Sequence, residues 1–236
     1  MNKFSVDLSK KLYATTLLDK WSKIEIIYHH ESFLIKKYLI DKTKNVLEAG
    51  TGGGRLVFYI EELGFKNISA FDFVPEMVDY ANNRKRIVKS NIEFIVADAT
   101  DLYQYENDSF HYLIYFQQVL GFISDESLFK NSLKEAYRIA QKNAIVMFSF
   151  SEWNSRKINP LISIVVNFLR IIRGEKYQKH HLPWLKLNGK FNWKFLNKNQ
   201  PLVYWVKKDY LISLLENIGF SVIEVYGELN LVCKKI

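Results

Sequence analysis

Val46-Leu47-Glu48-Ala49-Gly50-Thr51-Gly52-Gly53-Gly54 is the stretch that decides the fold. A short apolar run meets a cluster of glycines, and the apolar positions from Arg55 to Leu63 then recur at helical spacing until Gly64, which can end a helix in a left-handed cap. Strand, glycine turn and helix follow one another. Such a turn permits positive φ and close backbone approach, and the next helix offers N–H donors to a ligand, although a plain tight turn has the same composition. A dinucleotide fingerprint counted from Gly50 needs glycine where Arg55 stands, which disfavours NAD. A P-loop needs Gly-Lys followed by Ser or Thr, and its absence disfavours ATP hydrolysis. Glu48 just ahead of Gly50, Gly52 and Gly54 suits a ligand carrying an amine or sulfonium better than a pyrophosphate.

Outward from this turn the alternation continues. Strands are expected at 68–73, 92–97, 112–117 and 144–150, with helices over 75–86 and 125–140. Further on, a helix over 207–217 ending at Gly219 precedes two strands, 221–225 and 229–234, joined near Gly227. Upstream, apolar residues at three- and four-residue intervals predict helix through 11–40. Strands separated by helices imply an α/β fold, a mostly parallel sheet with helices on both faces, closed by an antiparallel hairpin. In such sheets the cleft lies outside the carboxyl ends of the strands at the switch point, which is where the glycine turn falls.

The 236 residues, 48% hydrophobic and 25% charged with 10 Gly and 4 Pro, fit one folded unit and exclude disordered and collagenous classes. A lone Cys233 cannot form an internal disulfide, so a cytoplasmic protein is expected. The first twenty residues lack a secretory apolar run, and the apolar stretch Leu161 to Ile172 falls short of the ~20 residues that span a bilayer. Neither an export signal nor a transmembrane segment is expected. Charge is distributed unevenly. Residues 153–208 hold 12 Lys and Arg against the single acid Glu175, a net +11, so the remainder, with 21 bases and 24 acids, carries −3. Four of the five tryptophans, Trp153, Trp184, Trp193 and Trp205, lie in the same block, which reads as an insertion.

Three motifs stand in order at the ends of successive strands: Val46 to Gly54, then Ile68-Ser69-Ala70-Phe71-Asp72 with Phe73-Val74-Pro75-Glu76-Met77, then Phe94-Ile95-Val96-Ala97-Asp98-Ala99. Together they resemble the class I S-adenosylmethionine (SAM)-dependent methyltransferases, over roughly 45–150 plus the closing elements at 207–235. The resemblance implies a Rossmann-like seven-stranded sheet and SAM as cofactor. It implies that Asp72 binds both ribose hydroxyls, a task suited to the two acceptor oxygens of a carboxylate. It places Phe73 and Met77 at the adenine slot, although Met77 reads equally as core. Asp98 would receive the adenine amino group and the Ala99 N–H a ring nitrogen; a loop or capping role is the alternative for Asp98. Phe116 or Gln117 would flank the methionine part, and Glu48, Gly50, Thr51, Gly52, Gly54 and Arg55 complete the expected cofactor site.

The fourth strand carries His111 where many relatives have Asp, so no catalytic acid is assigned there. The Asn/Asp-Pro-Pro-Tyr signature of DNA amino-methylating enzymes and the acidic set of the metal-dependent catechol type are both absent, so neither DNA nor a metal is expected. SAM itself supplies the electrophile for an in-line displacement, and orientation alone can reach effective molarities of ~10⁵ M. A base matters only if the acceptor must lose a proton. His29, His30, His180 and His181 are candidates because imidazole titrates near neutrality, with a surface or packing role as the plainer alternative for each.

By the same resemblance, an N-terminal helical cap (about 1–42) and a basic, aromatic-rich lid (about 153–206) cover the acceptor. The expected acceptor is a small molecule, anionic or partly apolar, methylated on oxygen or nitrogen. An RNA methyltransferase using the basic insertion and a non-catalytic SAM-binding module are the alternatives. Asn159-Pro160 opens a helix whose apolar surface exceeds one core contact. It is suited to roofing the acceptor, packing a second copy, lying on a membrane with Arg170, Arg173 and Lys176 at the headgroups, or burial in the core. Monomer and homodimer both remain open. From His180 to Tyr204-Trp205 aromatics interleave with Lys186, Lys190, Lys194 and Lys198, a pattern suited to an anionic small molecule, a lipid headgroup or RNA.

Overall fold

The structure, a computed structural model, describes residues 10–236 apart from 12, 16, 124, 157–159, 175–179, 184, 185, 188, 189 and 192–201. Five strands open the fold: β1 (Val46–Ala49), β2 (Ile68–Asp72), β3 (Glu93–Val96), β4 (Phe110–Tyr115) and β5 (Ala140–Ser149). Short strands β6 (Ser151–Glu152), β7 (His181–Pro183), β8 (Lys186–Leu187), β9 (Lys190–Phe191) and β10 (Leu202–Val206) follow, then β11 (Phe220–Tyr226) and β12 (Asn230–Lys235). The main sheet has seven strands in the order β11-β12-β5-β4-β1-β2-β3. All its pairings are parallel except those of β12, which runs antiparallel to both β5 and β11. β1 pairs with β2 on one side and β4 on the other, Val46 standing beside Ile68 and Tyr112. The switch point therefore lies between β1 and β4.

Side chains alternate across the sheet and build two cores. Leu47, Leu113 and Val146 pack with Phe129 and Leu133 of the helix Glu126–Ile139 and Leu211 and Leu215 of the helix Lys208–Ile218. Val46, Ile114 and Met147 face the opposite way, into Leu34 and Ile35 of the helix His29–Tyr38, Leu56 and Ile60 of the helix Arg55–Glu62, and Val78 and Ala81 of the helix Pro75–Val88. Local chemistry sets the boundaries. Asp125 caps the helix Glu126–Ile139 by accepting the Ser127 and Leu128 N–H groups, and Gly219 ends the helix Lys208–Ile218 at φ +117. Cys233 is buried in β12, and burial pushes its thiol well above the ordinary range.

Four sequence expectations are corrected. The continuous helix over 11–40 breaks: a helix Leu18–Lys23 ends where Ile24 turns extended, and a new one starts at His29. Polar ties hold the break, since the Glu31 carboxylate accepts the Tyr28 N–H and Arg55 donates to the Ile26 carbonyl. β4 ends at Tyr115 rather than at Gln117, because Gln117 and Gln118 take positive φ values of 56° and 57°. Tyr204 and Trp205 are not a basic surface: both are buried in β10, which pairs with β6 and β7, and the Tyr204 ring lies 4.8 Å from that of Phe129. Arg170 of the helix Pro160–Ile172 is buried rather than placed at a membrane surface. Lys176, Trp184, Trp193, Lys194 and Lys198 lie outside the described residues.

At one end of the sheet β11 is irregular, its register slipping between Val222 and Glu224. Glu224 accepts bonds from Lys37 Nζ at 2.8 Å and from the Tyr38 hydroxyl, both on the helix His29–Tyr38. At the other end, β3 has only four residues.

Candidate functional site

The glycine turn is crowded from outside by the chain's own N-terminal segment. A Cβ on Gly53 would lie 1.9 Å from the Ser22 carbonyl oxygen, and one on Gly52 2.9 Å from that of Trp21. The Gly53 N–H donates to Trp21 O at 3.3 Å. Part of the need for glycine is therefore internal, since the end of the helix Leu18–Lys23 sits on the turn. Gly50, Thr51 and Gly52 line a cavity at the carboxyl ends of β1, β2 and β4, whereas Gly54, which precedes the next helix at φ +82, does not reach it.

Two buried carboxylates line this cavity, one from β1 and one from β2. Asp72 Oδ2 accepts the Gly52 N–H at 2.9 Å and Oδ1 the Val74 N–H at 3.0 Å. Burial raises its pKa to about 6 against the opposing pull of these backbone donors. Glu48 Oε2 accepts the Thr51 hydroxyl at 2.6 Å, and burial pushes its pKa up to about 8. Between the ordinary value of 4.5 and about 8 the folded chain thus holds a proton on Glu48 that the unfolded chain has lost, so stability falls as pH rises through this window. Glu48→Gln is expected to stabilise the ligand-free protein at pH above 8 by roughly 2 kcal/mol, with the two melting temperatures converging toward pH 5. Thermal melts across pH check this; equal melting temperatures throughout would refute it.

A third carboxylate was not anticipated. Glu31 is fully buried and binds the Arg55 guanidinium with both oxygens, at 2.5 and 2.7 Å. It also accepts the Gln117 side-chain amide at 2.7 Å, and the Tyr28 ring lies against the Arg55 guanidinium, 5.5 Å from centroid to carbon. One cluster thereby ties the N-terminal helix, the helix after the glycine turn and the end of β4 together. Arg55 lines the cavity while both sides of its charge are taken up by Glu31. A clue existed in the sequence: a cation in the first turn of a helix opposes the helix dipole, so Arg55 needed a carboxylate partner.

Phe73, Met77, Asp98, Ala99, Phe116 and Gln117 also line the cavity. Asp98 uses Oδ1 to accept the Thr100 N–H and hydroxyl at 2.8 and 2.9 Å, a local turn that fixes the carboxylate at the cavity wall. The cavity continues among Tyr13, Trp21 and Ile24 of the N-terminal segment and Phe122, Ile123 and Leu128 beyond β4, none of which was singled out from sequence. The Tyr13 ring meets those of Phe73 and Phe122 edge-on, and burial and then the Asp72 charge push its phenol well above the ordinary range. Its hydroxyl therefore stays protonated. Of the histidines, His30 packs against Phe116, its pKa lowered by burial. His29 stacks on Phe33, away from the cavity lining. The ring of His180 packs between Trp153 and Tyr204, outside the cavity lining, and His181 belongs to β7.

Residues 46–143 match the family model described as a methyltransferase domain. A search of the curated proteins finds no match. Among solved structures, a SAM-dependent methyltransferase of Methanosarcina mazei superposes with a TM-score of 0.67 at 15% identity, over 89% of this chain and 98% of that one. The 1,6-didemethyltoxoflavin-N1-methyltransferase of Burkholderia thailandensis, solved with 1,6-didemethyltoxoflavin and S-adenosylhomocysteine, gives 0.65 at 14% identity, over 99% and 88%. A SAM-dependent methyltransferase of Aquifex aeolicus gives 0.56 at 14%, over 98% of each. At such identities the likeness to the solved structures is one of fold.

Proposed function

We propose that the chain, whose residues 46–143 match the methyltransferase-domain model, is a class I SAM-dependent methyltransferase acting on an oxygen or nitrogen of a small molecule with an apolar or aromatic body, in the cytoplasm. The observation that supports this reading is the continuity of one cavity, carboxylate-lined at Glu48 and Asp72 and apolar at Tyr13, Trp21, Phe122, Ile123 and Leu128. SAM supplies an electrophilic methyl group on a sulfonium when bound.

The residues present fit that cofactor. Asp72 is oriented by the Gly52 and Val74 N–H groups and retains lone pairs for two vicinal hydroxyls. Glu48, buried beside the glycine turn, favours a neighbouring cation, which would draw it into its ionised form. Phe73, Met77 and Ala99 offer an apolar slot, with Asp98 at its rim as an acceptor. The aromatic end of the cavity orients an acceptor and excludes water, and Tyr13 donates a hydrogen bond there. The bound 1,6-didemethyltoxoflavin of the Burkholderia thailandensis protein supports a small acceptor by analogy.

Incubating the protein with methyl-tritiated SAM and a fractionated extract tests the assignment. Label is expected in the low-molecular-weight fraction, and Phe122→Ala is expected to raise KM for that acceptor more than it lowers kcat. Label confined to RNA would favour the reading based on the basic insertion, and SAM binding with no transfer to any fraction would favour a binding module.

A further inference from the structure

We propose that the outward face of the helix Pro160–Ile172 seats the protein on an anionic lipid bilayer. Leu161, Ile164, Val165, Phe168, Ile171 and Ile172 are each more than half exposed, between 53% and 67%, and fall on one stripe at three- and four-residue intervals. The opposite side is already spent on the protein body, since Val166 and Arg170 are 2% and 6% exposed. This is the reverse of a soluble surface helix, which turns its polar side outward. Thirteen residues rise about 20 Å, too little to cross a bilayer, and no helix among the described residues is long and apolar enough to do so. A helix of this kind lies in the plane of the interface.

Charge selects the occupant. The helix belongs to the segment 153–208, which carries +11, while the remainder of the chain carries −3. Two copies meeting through this face would bring two strongly positive segments together, at a repulsive cost. An anionic membrane surface attracts the same segment and turns the acidic remainder away, so that apolar insertion and electrostatic orientation act together.

The full chain is to be floated with vesicles of phosphatidylcholine alone and of equal parts phosphatidylcholine and phosphatidylglycerol. Partitioning onto the mixed vesicles is expected to exceed that onto the neutral ones about tenfold and to weaken with salt. Phe168→Ser with Ile164→Ser is expected to lower it about tenfold while leaving circular dichroism and SAM affinity unchanged. Equal, weak partitioning onto both vesicle types would overturn the proposal. So would concentration-dependent self-association that the same double variant abolishes, since that result assigns the face to a second copy.

Discussion

Replacing Asp72 by Ala is expected to lower the affinity for SAM by about 10²–10⁴-fold. On the proposed function the carboxylate accepts two hydroxyls of one ribose, and charge-assisted hydrogen bonds contribute roughly 1.5–3 kcal/mol each. The substitution also removes the acceptor for the Gly52 and Val74 N–H groups, so part of the loss comes from a glycine turn that is no longer held in place. Asp72→Asn separates the two effects. It preserves an acceptor oxygen and much of the shape but lacks the charge, and its affinity should fall between those of wild type and Asp72→Ala. Calorimetric titration with SAM, alongside a thermal melt of each variant without ligand, supplies the comparison. Undiminished affinity in a folded Asp72→Ala protein would mean that the nucleoside is held elsewhere.

The second large effect concerns folding. Arg55→Met is expected to cost about 3–5 kcal/mol, because it leaves the Glu31 carboxylate, 0% exposed, without the cation that compensates its burial. Glu31→Gln combined with Arg55→Met should recover most of that loss: the amide oxygen still receives the Tyr28 N–H, and no isolated charge remains. Urea unfolding of the two single variants and the double variant completes the cycle. A cost below about 0.5 kcal/mol for Arg55→Met would show that the pair is dispensable.

Local pattern carried the sequence analysis a long way. The glycine turn, the Pro75 helix start and the alternation of strands and helices are nearest-neighbour features, and they yielded the parallel sheet and most of the cavity wall that β1, β2 and β4 supply. What escaped depends on distance. Glu31 and Arg55 are 24 residues apart, and their union has no spacing rule, although Arg55 at the start of a helix hinted at a partner. Ile24 and Ile27 continue the apolar rhythm of a helix while standing in an extended connection, so periodicity ran through the break at 24–28. The hairpin β11–β12 was legible, but nothing in its two strands says which of them lies against β5. Tyr13 and Trp21 became visible as cavity walls only once the N-terminal segment was seen resting on Gly52 and Gly53.

The irregular β11 bears on how copies of this chain behave when crowded. A regular outer strand would offer its free amides and carbonyls as a template for cross-molecule β-pairing, the route to ribbons and fibrils. Here the slip at Val222 and Glu224 bends that template, and the carboxylate is anchored by Lys37 and Tyr38. The far rim of the sheet is a strand too short to recruit a neighbour stably. Both outer strands of the seven-stranded sheet are thus poor templates for rim-to-rim pairing.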